Sequence, residues 1–339
     1  MPSQLRRLIH LGLFTALLAS SAFVASGAQP ASAPRKRPGV KDPSVRIPIE
    51  RLKPDQVFAV PGAPDWIAID EDVWISNEPD DTVMRIDPRA NKAVGPIKAG
   101  KAPCSGLAAG FDSLWVPMCG DSTLARVDLK TGKVVSATPM TVGDSEGGIA
   151  VGAGSVWLMT DAKGTLARID PATGKAVAEI AVAPGSFGVA FGDGAVWVTS
   201  SEKNLLIRVN AYTNVVEQAI AVGPGPRFLT FGEGGVWTLN QGDGSITRVD
   251  PKTNKVVATI HAGIPGRGGE ISAGEGSVWA TSFEFPVTRI DPATNTVVQQ
   301  FFGPGGDAIR AGRGSVWLSN LRQGNVWRLD PKRIEATVQ

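Results

Sequence analysis

Acids and amides recur at equivalent points of a repeated sequence pattern, and their oxygens could bind a metal ion. The acids are Glu146, Glu270 and Asp307, and the amides are Asn77, Asn240 and Asn320. Carboxylate and amide oxygens are the ligands that hard cations such as Mg²⁺ and Ca²⁺ prefer. If the three acids converge, they form a candidate divalent-cation site. If they do not, they belong to a hydrated, ion-paired surface on which Arg227 and Arg310 neutralise the acids.

Trp66 departs from the same pattern, because it lies outside the column of repeated tryptophans. A tryptophan at this point either plugs a central channel or stacks on a ligand. We expect departures from the repeat to mark the functional surface, since residues shared by every repeat serve the fold. The predicted ligand-binding residues are therefore Asp65, Trp66, Asn77, Glu146, Arg227, Asn240, Glu270, Asp307, Arg310 and Asn320.

A repeat of about 40 residues must position these side chains. Its marker is an apolar residue followed by Trp, often after a glycine-rich turn such as Gly152-Ala153-Gly154. The seven repeated tryptophans, 38 to 42 residues apart, are Trp74, Trp115, Trp157, Trp197, Trp237, Trp279 and Trp317. A strand-rich repeat of this length predicts one four-stranded propeller blade. The fold class is therefore all-β, a seven-bladed β-propeller over residues 56–339.

The third repeat shows how each blade is divided. Residues 148–151, 156–159, 165–169 and 176–182 are the predicted strands A to D, from the innermost outwards. If strand A runs down from the top face, the D–A and B–C loops both lie on top. The departures from the repeat are in these loops, so we expect them to surround the mouth of the central channel.

An Arg-x-Asp motif ends strand C of nearly every repeat. The pairs are Arg85/Asp87, Arg126/Asp128, Arg168/Asp170, Arg248/Asp250, Arg289/Asp291 and Arg328/Asp330, with Arg208/Asn210 in the fourth repeat. Seven equivalent positions cannot all be one active site. We expect the acid or amide to open the C–D turn and the arginine to tie neighbouring strands or blades together. The repeated tryptophans are expected to fill the space between blades.

Either terminus could supply the last strand of the ring. Residues 56–64 align with a D-strand stretch, 258–265, and residues 333–338 resemble the overlapping stretch 255–260. We expect the N-terminal segment to close the ring. Closure by either end would remove a sheet edge that invites aggregation.

Residues 1–28 have the features of a secretory signal. Arg6 and Arg7 precede a short apolar run, and Ser26-Gly27-Ala28 is the preferred cleavage site, with Ala31-Ser32-Ala33 as the other candidate. The alternative is an N-terminal membrane anchor, for which the run is short. Residues 29–55 are a Pro-rich basic linker, or a strap along the domain surface. The expected location is the periplasm or the extracellular medium.

Removal of the signal leaves a nearly neutral chain. It deletes two arginines and no acids, which reduces the 34 Lys and Arg to 32, equal to the 32 Asp and Glu. A broad basic face for nucleic acid is therefore unsupported, and no other segment could span a membrane. We expect a monomer whose partner is a small molecule or a protein.

Cys104 and Cys119 are the only cysteines, and their positions predict a disulfide. They are equidistant from the predicted A–B turn of the second repeat, so an antiparallel hairpin brings them opposite each other, within disulfide range. An exported chain passes through an oxidising compartment. The rivals are two free thiols, or a thiol pair that binds a soft metal.

The pattern of glycine turn, Val-Trp, Arg-Ile-Asp-Pro-x-Thr-x-Lys-Val-Val and Val-Gly-x-x-Pro resembles the YVTN-repeat and virginiamycin B lyase-like superfamily of bacterial propellers. The resemblance covers residues 56–339 and implies the seven-bladed fold. The superfamily includes enzymes, sensor domains and binding proteins. Its lyases use His and Glu residues around a magnesium ion at the propeller centre, whereas the mature chain has a single histidine, His261, expected on the outer side of a blade.

Two functions follow as expectations. The first is an exported binding or scaffold protein that uses the channel mouth for a small ligand or a protein partner, with no certain cofactor. The second is a metal-dependent lyase or lactonase that acts at the channel mouth with Mg²⁺ or Ca²⁺, held by Glu146, Glu270 and Asp307. The lactonase alternative rests on analogy with gluconolactonase-related propellers, which use a carboxylate and amide set.

Overall fold

The computed structural model describes residues 37–143 and 147–338. Its sheets form seven four-stranded blades arranged in a ring, which confirms the predicted β-propeller. Strands B, such as Ser315–Asn320, are buried at every residue except in blade three, where the last two residues are half-buried. Strands D carry exposed residues along most of their length, as in Val134–Pro139, except in blade six, where Thr296–Phe302 is mostly covered. The core is therefore the inner part of each blade and the space between neighbouring blades.

The strands, in the order A, B, C and D, have the following bounds. Blades one to four are Pro64–Ile69, Val73–Asn77, Thr82–Asp87 and Lys92–Lys98; Ala108–Gly110, Ser113–Met118, Thr123–Asp128 and Val134–Pro139; Ile149–Gly152, Ser155–Asp161, Thr165–Ile169 and Ala176–Ala181; and Ser186–Gly192, Ala195–Ser200, Leu205–Asn210 and Val216–Ala221. Blades five and six are Pro226–Gly232, Gly235–Asn240, Ser245–Asp250 and Lys255–His261; and Glu270–Gly274, Ser277–Ser282, Phe285–Asp291 and Thr296–Phe302. Blade seven takes Ile309–Gly312, Ser315–Asn320 and Asn325–Leu329 from the C-terminal part of the chain.

The N-terminal segment closes the ring, as expected. Gln56–Ala59 pairs antiparallel with Asn325–Leu329 and is strand D of blade seven. The C-terminal alternative is wrong, because Pro331–Ala336 is an α-helix, capped by the Asp330 side chain on the Lys332 N–H. A proline at its first position suits a helix start, because its φ is preset and its missing N–H would be unsatisfied there anyway.

The residues before this strand run along blades six and seven. Arg46–Pro48 adds a fifth strand, parallel to Thr296–Phe302 of blade six. The described 3₁₀-helices are Pro43–Val45, Ile49–Arg51, Glu78–Asp80 and Leu321–Gln323. Within the described ranges no helix is long and apolar enough to cross a membrane, and the predicted signal peptide lies outside them.

The repeated tryptophans fill the space between blades. All seven are at most 1% exposed. Trp157 of blade three, for example, clusters with Val189, Val196 and Val198 of blade four. Its indole N–H donates to the Gly152 carbonyl at 3.0 Å, so its polar atom is also satisfied. The structural role predicted for this column is confirmed.

The strand-C arginines tie each blade to the next. Arg168 lies over the ring of Trp157, with 5.4 Å from its guanidinium carbon to the ring centroid. Its Nε donates to Ser155 Oγ at 2.8 Å in its own blade, and its Nη1 donates to Asn214 Oδ1 at 3.2 Å in the next one. The acids that follow open the C–D turns: Asp170 Oδ1 accepts the Ala172 N–H at 2.9 Å. Both predicted roles are therefore confirmed.

Replacing Ser155 by Ala tests the internal part of this link. Ser155→Ala leaves the Arg168 Nε without its acceptor, and an unsatisfied buried donor costs about 1–3 kcal/mol. We expect the free energy of unfolding, measured with denaturant, to fall by about that amount. The control is Ser136→Ala on an exposed outer strand, for which we expect a change of at most about 0.5 kcal/mol. Equal effects of the two substitutions would show that the Arg168–Ser155 bond does not stabilise the blade.

Candidate functional site

A cleft lies at the top of the ring between blades one, six and seven. Its volume is about 360 Å³. It is built from strand-A entries and from the D–A and B–C loops, which is where the sequence departs from the repeat. The charged and aromatic residues that line it are Asp65, Trp66, Glu78, Arg267, Glu270, Phe283 and Asp307. Four carboxyl groups thus face one guanidinium among the lining residues that the structure describes.

Glu270 is the deepest of these acids and is 2% exposed. It begins strand A of blade six and forms an ion pair with Arg310 of blade seven. Its second oxygen accepts the Ile309 N–H at 3.0 Å. Glu270 therefore joins the inner strands of two blades.

Burial raises the pKa of the Glu270 carboxyl to about 7. Arg310 and the Ile309 N–H oppose this rise because they favour the charged form, and the nearby Asp307 charge adds to it. A carboxyl with such a pKa can exchange a proton near neutral pH, which suits either acid–base chemistry or a pH-sensitive blade contact.

Trp66 closes the channel below the cleft. It is 5% exposed, and its ring lies 6.0 Å from the ring of Phe228 on blade five, at 47°. Gly147 of blade three lies against the Trp66 ring, so that a Cβ at Gly147 would be 3.5 Å from that ring. Beneath lies a narrow cavity of about 30 Å³ that reaches Glu270 and Arg310. Of the two roles expected for Trp66, this burial supports the channel plug, although its edge still lines the cleft.

The three predicted amides are used within their own blades. Asn77 accepts the Ala63 N–H at 2.9 Å and holds a D–A loop. Asn320 does the same with the Gly306 N–H at 2.9 Å. Asn240 is fully buried and donates to Ser245 Oγ and Thr247 Oγ1 at 3.0 and 2.9 Å. These contacts shape the loops around the mouth, while ligand binding by the amides stays a prediction.

The structure describes two of the three acids predicted to hold a divalent cation, Glu270 and Asp307. Glu146 lies outside the described ranges, and Glu270 is engaged by Arg310 and the Ile309 N–H. In the part of the chain that the structure describes, no three His, Cys, Asp or Glu side chains come together to hold a metal ion. His261 ends the outer strand of blade five and is exposed. Of the predicted metal set, Glu270 and Asp307 lie close enough for their charges to influence each other.

Arg227 contacts an aromatic ring of the neighbouring blade. Its guanidinium carbon is 4.6 Å from the centroid of the Phe187 ring, in blade four. It does not line the cleft, in contrast to Asp65.

Sequence reasoning missed Glu78, Arg267 and Phe283 as lining residues. Glu78 and Phe283 each follow the last residue of a strand B, one position beyond the point at which the prediction stopped. Arg267 lies in the D–A loop between blades five and six, which spans residues 262–269. The D–A loops 99–107 and 140–148 are longer, so the length of this loop did not single it out.

Cys104 and Cys119 form the predicted disulfide, with Cα atoms 5.9 Å apart. The hairpin register that predicted it holds for Ala108–Gly110 against Ser113, Leu114 and Trp115. It then shifts by two residues, since Pro103 pairs with Met118. Left-handed backbone at Ser105 and Gly106 bends the chain between the two registers. The disulfide is therefore close to the ladder but is not a simple cross-strand pair.

Solved structures of the same fold include lyases. A streptogramin B lyase is 19% identical, with a TM-score of 0.67, over 80% of this chain and 96% of that one. The virginiamycin B lyase of Staphylococcus aureus is 18% identical, with a TM-score of 0.68, over 80% and 97%. The hydrazine synthase of Kuenenia stuttgartiensis is 14% identical, with a TM-score of 0.68, over 80% and 96%.

The structural neighbours are virginiamycin B lyase-like seven-bladed propellers, as the sequence resemblance implied. At these identities the likeness shows the fold alone. No protein-family model and no curated protein sequence matches the chain.

Glu270→Gln tests the burial of this carboxyl through pH dependence. The pKa of Glu270 is higher in the folded chain, about 7, than its ordinary value of 4.5. The folded state therefore binds the proton more tightly, so this group's stabilising contribution is complete below pH 4.5 and is lost as pH rises to about 7. We expect the unfolding free energy of the wild type minus that of the variant to fall across this range. A difference that is flat or rises with pH would contradict the assignment.

Removing the disulfide by Cys104→Ser with Cys119→Ser should lower the free energy of unfolding. The cysteines are 15 residues apart, and closing a loop of this size stabilises by about 3 kcal/mol in the chain-entropy account. Reduction should lower the wild-type Tm and leave that of the double variant unchanged. Thiol titration of the unfolded, unreduced mature protein provides the check, and two free thiols per chain would contradict the disulfide.

Proposed function

We propose that this chain is an exported binding protein that takes a small polar ligand, or a polar segment of a partner, into the channel-mouth cleft. The observation that carries the proposal is the lining of this cleft, in which Asp65, Glu78 and Asp307 surround a concave surface at the end of the ring where the repeat breaks down. Ligand sites of soluble proteins are concave and combine apolar walls with a few polar groups.

The chemistry of the lining favours a ligand with hydrogen-bond donors or a positive charge. Carboxylates accept hydrogen bonds and attract cations, and the cleft has more of them than of guanidinium groups. Ala308 and Leu321 add apolar wall on the blade-seven side. Trp66 and Phe228 close the channel, so the ligand would rest on this plug and not pass through the ring.

Export is part of the proposal. Its support is the Cys104–Cys119 disulfide, because such bonds persist in oxidising compartments and are rare in the cytosol. The signal-like composition of residues 1–28 points the same way.

Changing the cleft acids should weaken ligand binding without unfolding the protein. Glu78 is exposed and Asp65 half-buried, so Glu78→Gln with Asp65→Asn conserves shape and removes two charges. We expect compounds that raise the wild-type Tm in a screen of small polar molecules to lose at least about tenfold in affinity, or about 1.4 kcal/mol. The matched control is Glu71→Gln with Asp112→Asn, on exposed residues at the opposite end of the ring. Compounds that bind equally well to the cleft variant would place the site elsewhere.

The second candidate is the metal-dependent lyase or lactonase. The fold of the lyase neighbours and the closeness of Glu270 and Asp307 favour it. The binding protein is the first choice because the lining of the cleft supports it directly.

Divalent cations separate the two candidates. A metal that binds only the folded state raises Tm by mass action. Under the binding-protein proposal, millimolar Mg²⁺ or Ca²⁺ leaves Tm unchanged relative to the same ionic strength of NaCl. A rise that a chelator reverses would instead support the enzyme.

A further inference from the structure

Three arginines meet at the blade-six edge of the cleft, and none belongs to the predicted ligand-binding set. They are Arg37, Arg267 and Arg322. Arg37 comes from the N-terminal segment, Arg267 from the D–A loop between blades five and six, and Arg322 from the B–C loop of blade seven. Residues so far apart in the chain are brought together only by the closed ring.

Arg37 is held in place by backbone carbonyls. Its Nε donates to the Pro265 carbonyl at 2.8 Å, and its Nη2 donates to the Arg267 carbonyl at 2.6 Å. Its side chain is only 12% exposed. These bonds tie the N-terminal segment to the loop that carries Arg267 and fix the direction of the Arg37 guanidinium.

Phe283 places the other two arginines. The guanidinium carbon of Arg322 lies 4.4 Å from the centroid of the Phe283 ring. Gly268 packs against the same ring so closely that a Cβ there would lie 2.4 Å from it. Arg267, which precedes this glycine, lines the cleft together with Phe283. One aromatic side chain thus contacts both Arg322 and the loop that carries Arg267.

The positive charges are not balanced by the acids around them. Glu284 accepts the Arg37 N–H at 3.1 Å and lies 3.8 Å from Arg37 Nη1, but it is itself 47% exposed. In the described part of the chain, neither Arg267 nor Arg322 has a carboxylate within 4.0 Å. Burial and the Arg322 charge both lower the pKa of Arg37, against the opposing effect of Glu284. The fold therefore holds like charges close together on a ligand-accessible edge.

We propose that Arg37, Arg267 and Arg322 form a binding site for the oxyanion group of a ligand, a phosphate, sulfate or carboxylate. Guanidinium groups present parallel N–H donors that match the oxygens of these anions, often in pairs. Arg267 and Arg322 supply the donors, since within the described ranges neither guanidinium donates to a protein acceptor. Arg37 donates through Nε and Nη2 to the Pro265 and Arg267 carbonyls. It therefore acts as a fixed charge that positions Arg267.

The oxyanion site deepens the proposed function, because the same ligand could also contact the acidic lining of the cleft. Contact with the acidic lining rests on the proposed function, whereas oxyanion binding by the arginines does not. With carboxylates on the blade-one and blade-seven side and guanidinium groups on the blade-six edge, the complete ligand carries groups of both charges.

Titration calorimetry of the full mature chain tests the site. The probes are inorganic phosphate, sulfate and acetate, each at constant ionic strength in NaCl. We expect saturable binding of at least one probe to the wild type, and a dissociation constant at least about tenfold weaker for Arg267→Gln with Arg322→Gln. The control, Arg51→Gln with Arg89→Gln, removes two exposed positive charges elsewhere and should bind as the wild type does.

The choice of probe identifies the class of ligand. Preference for phosphate or sulfate assigns a tetrahedral oxyanion, and preference for acetate assigns a carboxylate. The double variant Arg267→Lys with Arg322→Lys keeps the charge but loses the paired donors, so we expect intermediate affinity. It also covers the case in which the Gln variant does not fold.

Two results would overturn the inference: no saturable binding of any probe to the wild type, or equal binding by the wild type and both double variants at positions 267 and 322. Failure of the cleft proposal is distinguishable. Glu78→Gln with Asp65→Asn should leave the affinity for the oxyanion probe unchanged or increase it, because the removed charges repel anions.

Discussion

The structure depends on the contact between a strand-C arginine, the tryptophan of its own blade and the turn of the next blade. Six of the seven arginines cover an indole ring and donate across the blade interface, as Arg248 does to the Pro292 carbonyl at 2.6 Å. The last link closes the ring, since Arg328 of blade seven donates to the Pro88 carbonyl of blade one at 2.6 Å. Because the cation–π contact and the hydrogen bond share one side chain, the spacing of the blades is set by a repeated local geometry.

This arrangement leaves the opposite end of the ring free to vary. The arginines hold the end that carries the A–B and C–D turns, so the D–A and B–C loops on top are released from the repeat. Blade six departs furthest. Its inner strand begins with Glu270, paired with Arg310 of blade seven, and its outer strand is covered by Arg46–Pro48. The cleft and the three arginines both lie where these departures meet.

A propeller whose channel is closed has to bind its ligand with residues around the channel mouth. Trp66 reaches from blade one to Phe228 of blade five, and a narrow cavity lies beside Glu270 and Arg310. The charges that remain accessible are arranged around that plug, acids on one side and guanidinium groups on the other. Both proposed sites follow from this division.

The sequence by itself determined the repeat and everything that repeats. The seven blades, the tryptophan column and the role of the arginines follow from periodicity, because each blade must bury the same apolar face against an equivalent neighbour. Closure by residues 56–59 was expected but not determined, since both termini resemble a D strand. The predicted strand C of blade three, 165–169, matches Thr165–Ile169. The symmetry of Cys104 and Cys119 about one turn was enough to predict their bond, although not the two-residue shift beside it.

Only the tertiary structure decided which contacts form between loops that differ from blade to blade. The sequence offered Arg310 as a partner for the acids of the mouth but did not single out Glu270. Nothing in it buries Trp66 against Phe228 or brings Arg37 to the Pro265 and Arg267 carbonyls, 228 and 230 residues along the chain. The sequence pattern assigned Asn77, Asn240 and Asn320 to the mouth but could not show that their side chains hold the loops. The physical reason is that periodicity predicts contacts between equivalent positions, whereas these contacts join positions that are not equivalent and that meet only after the ring has closed.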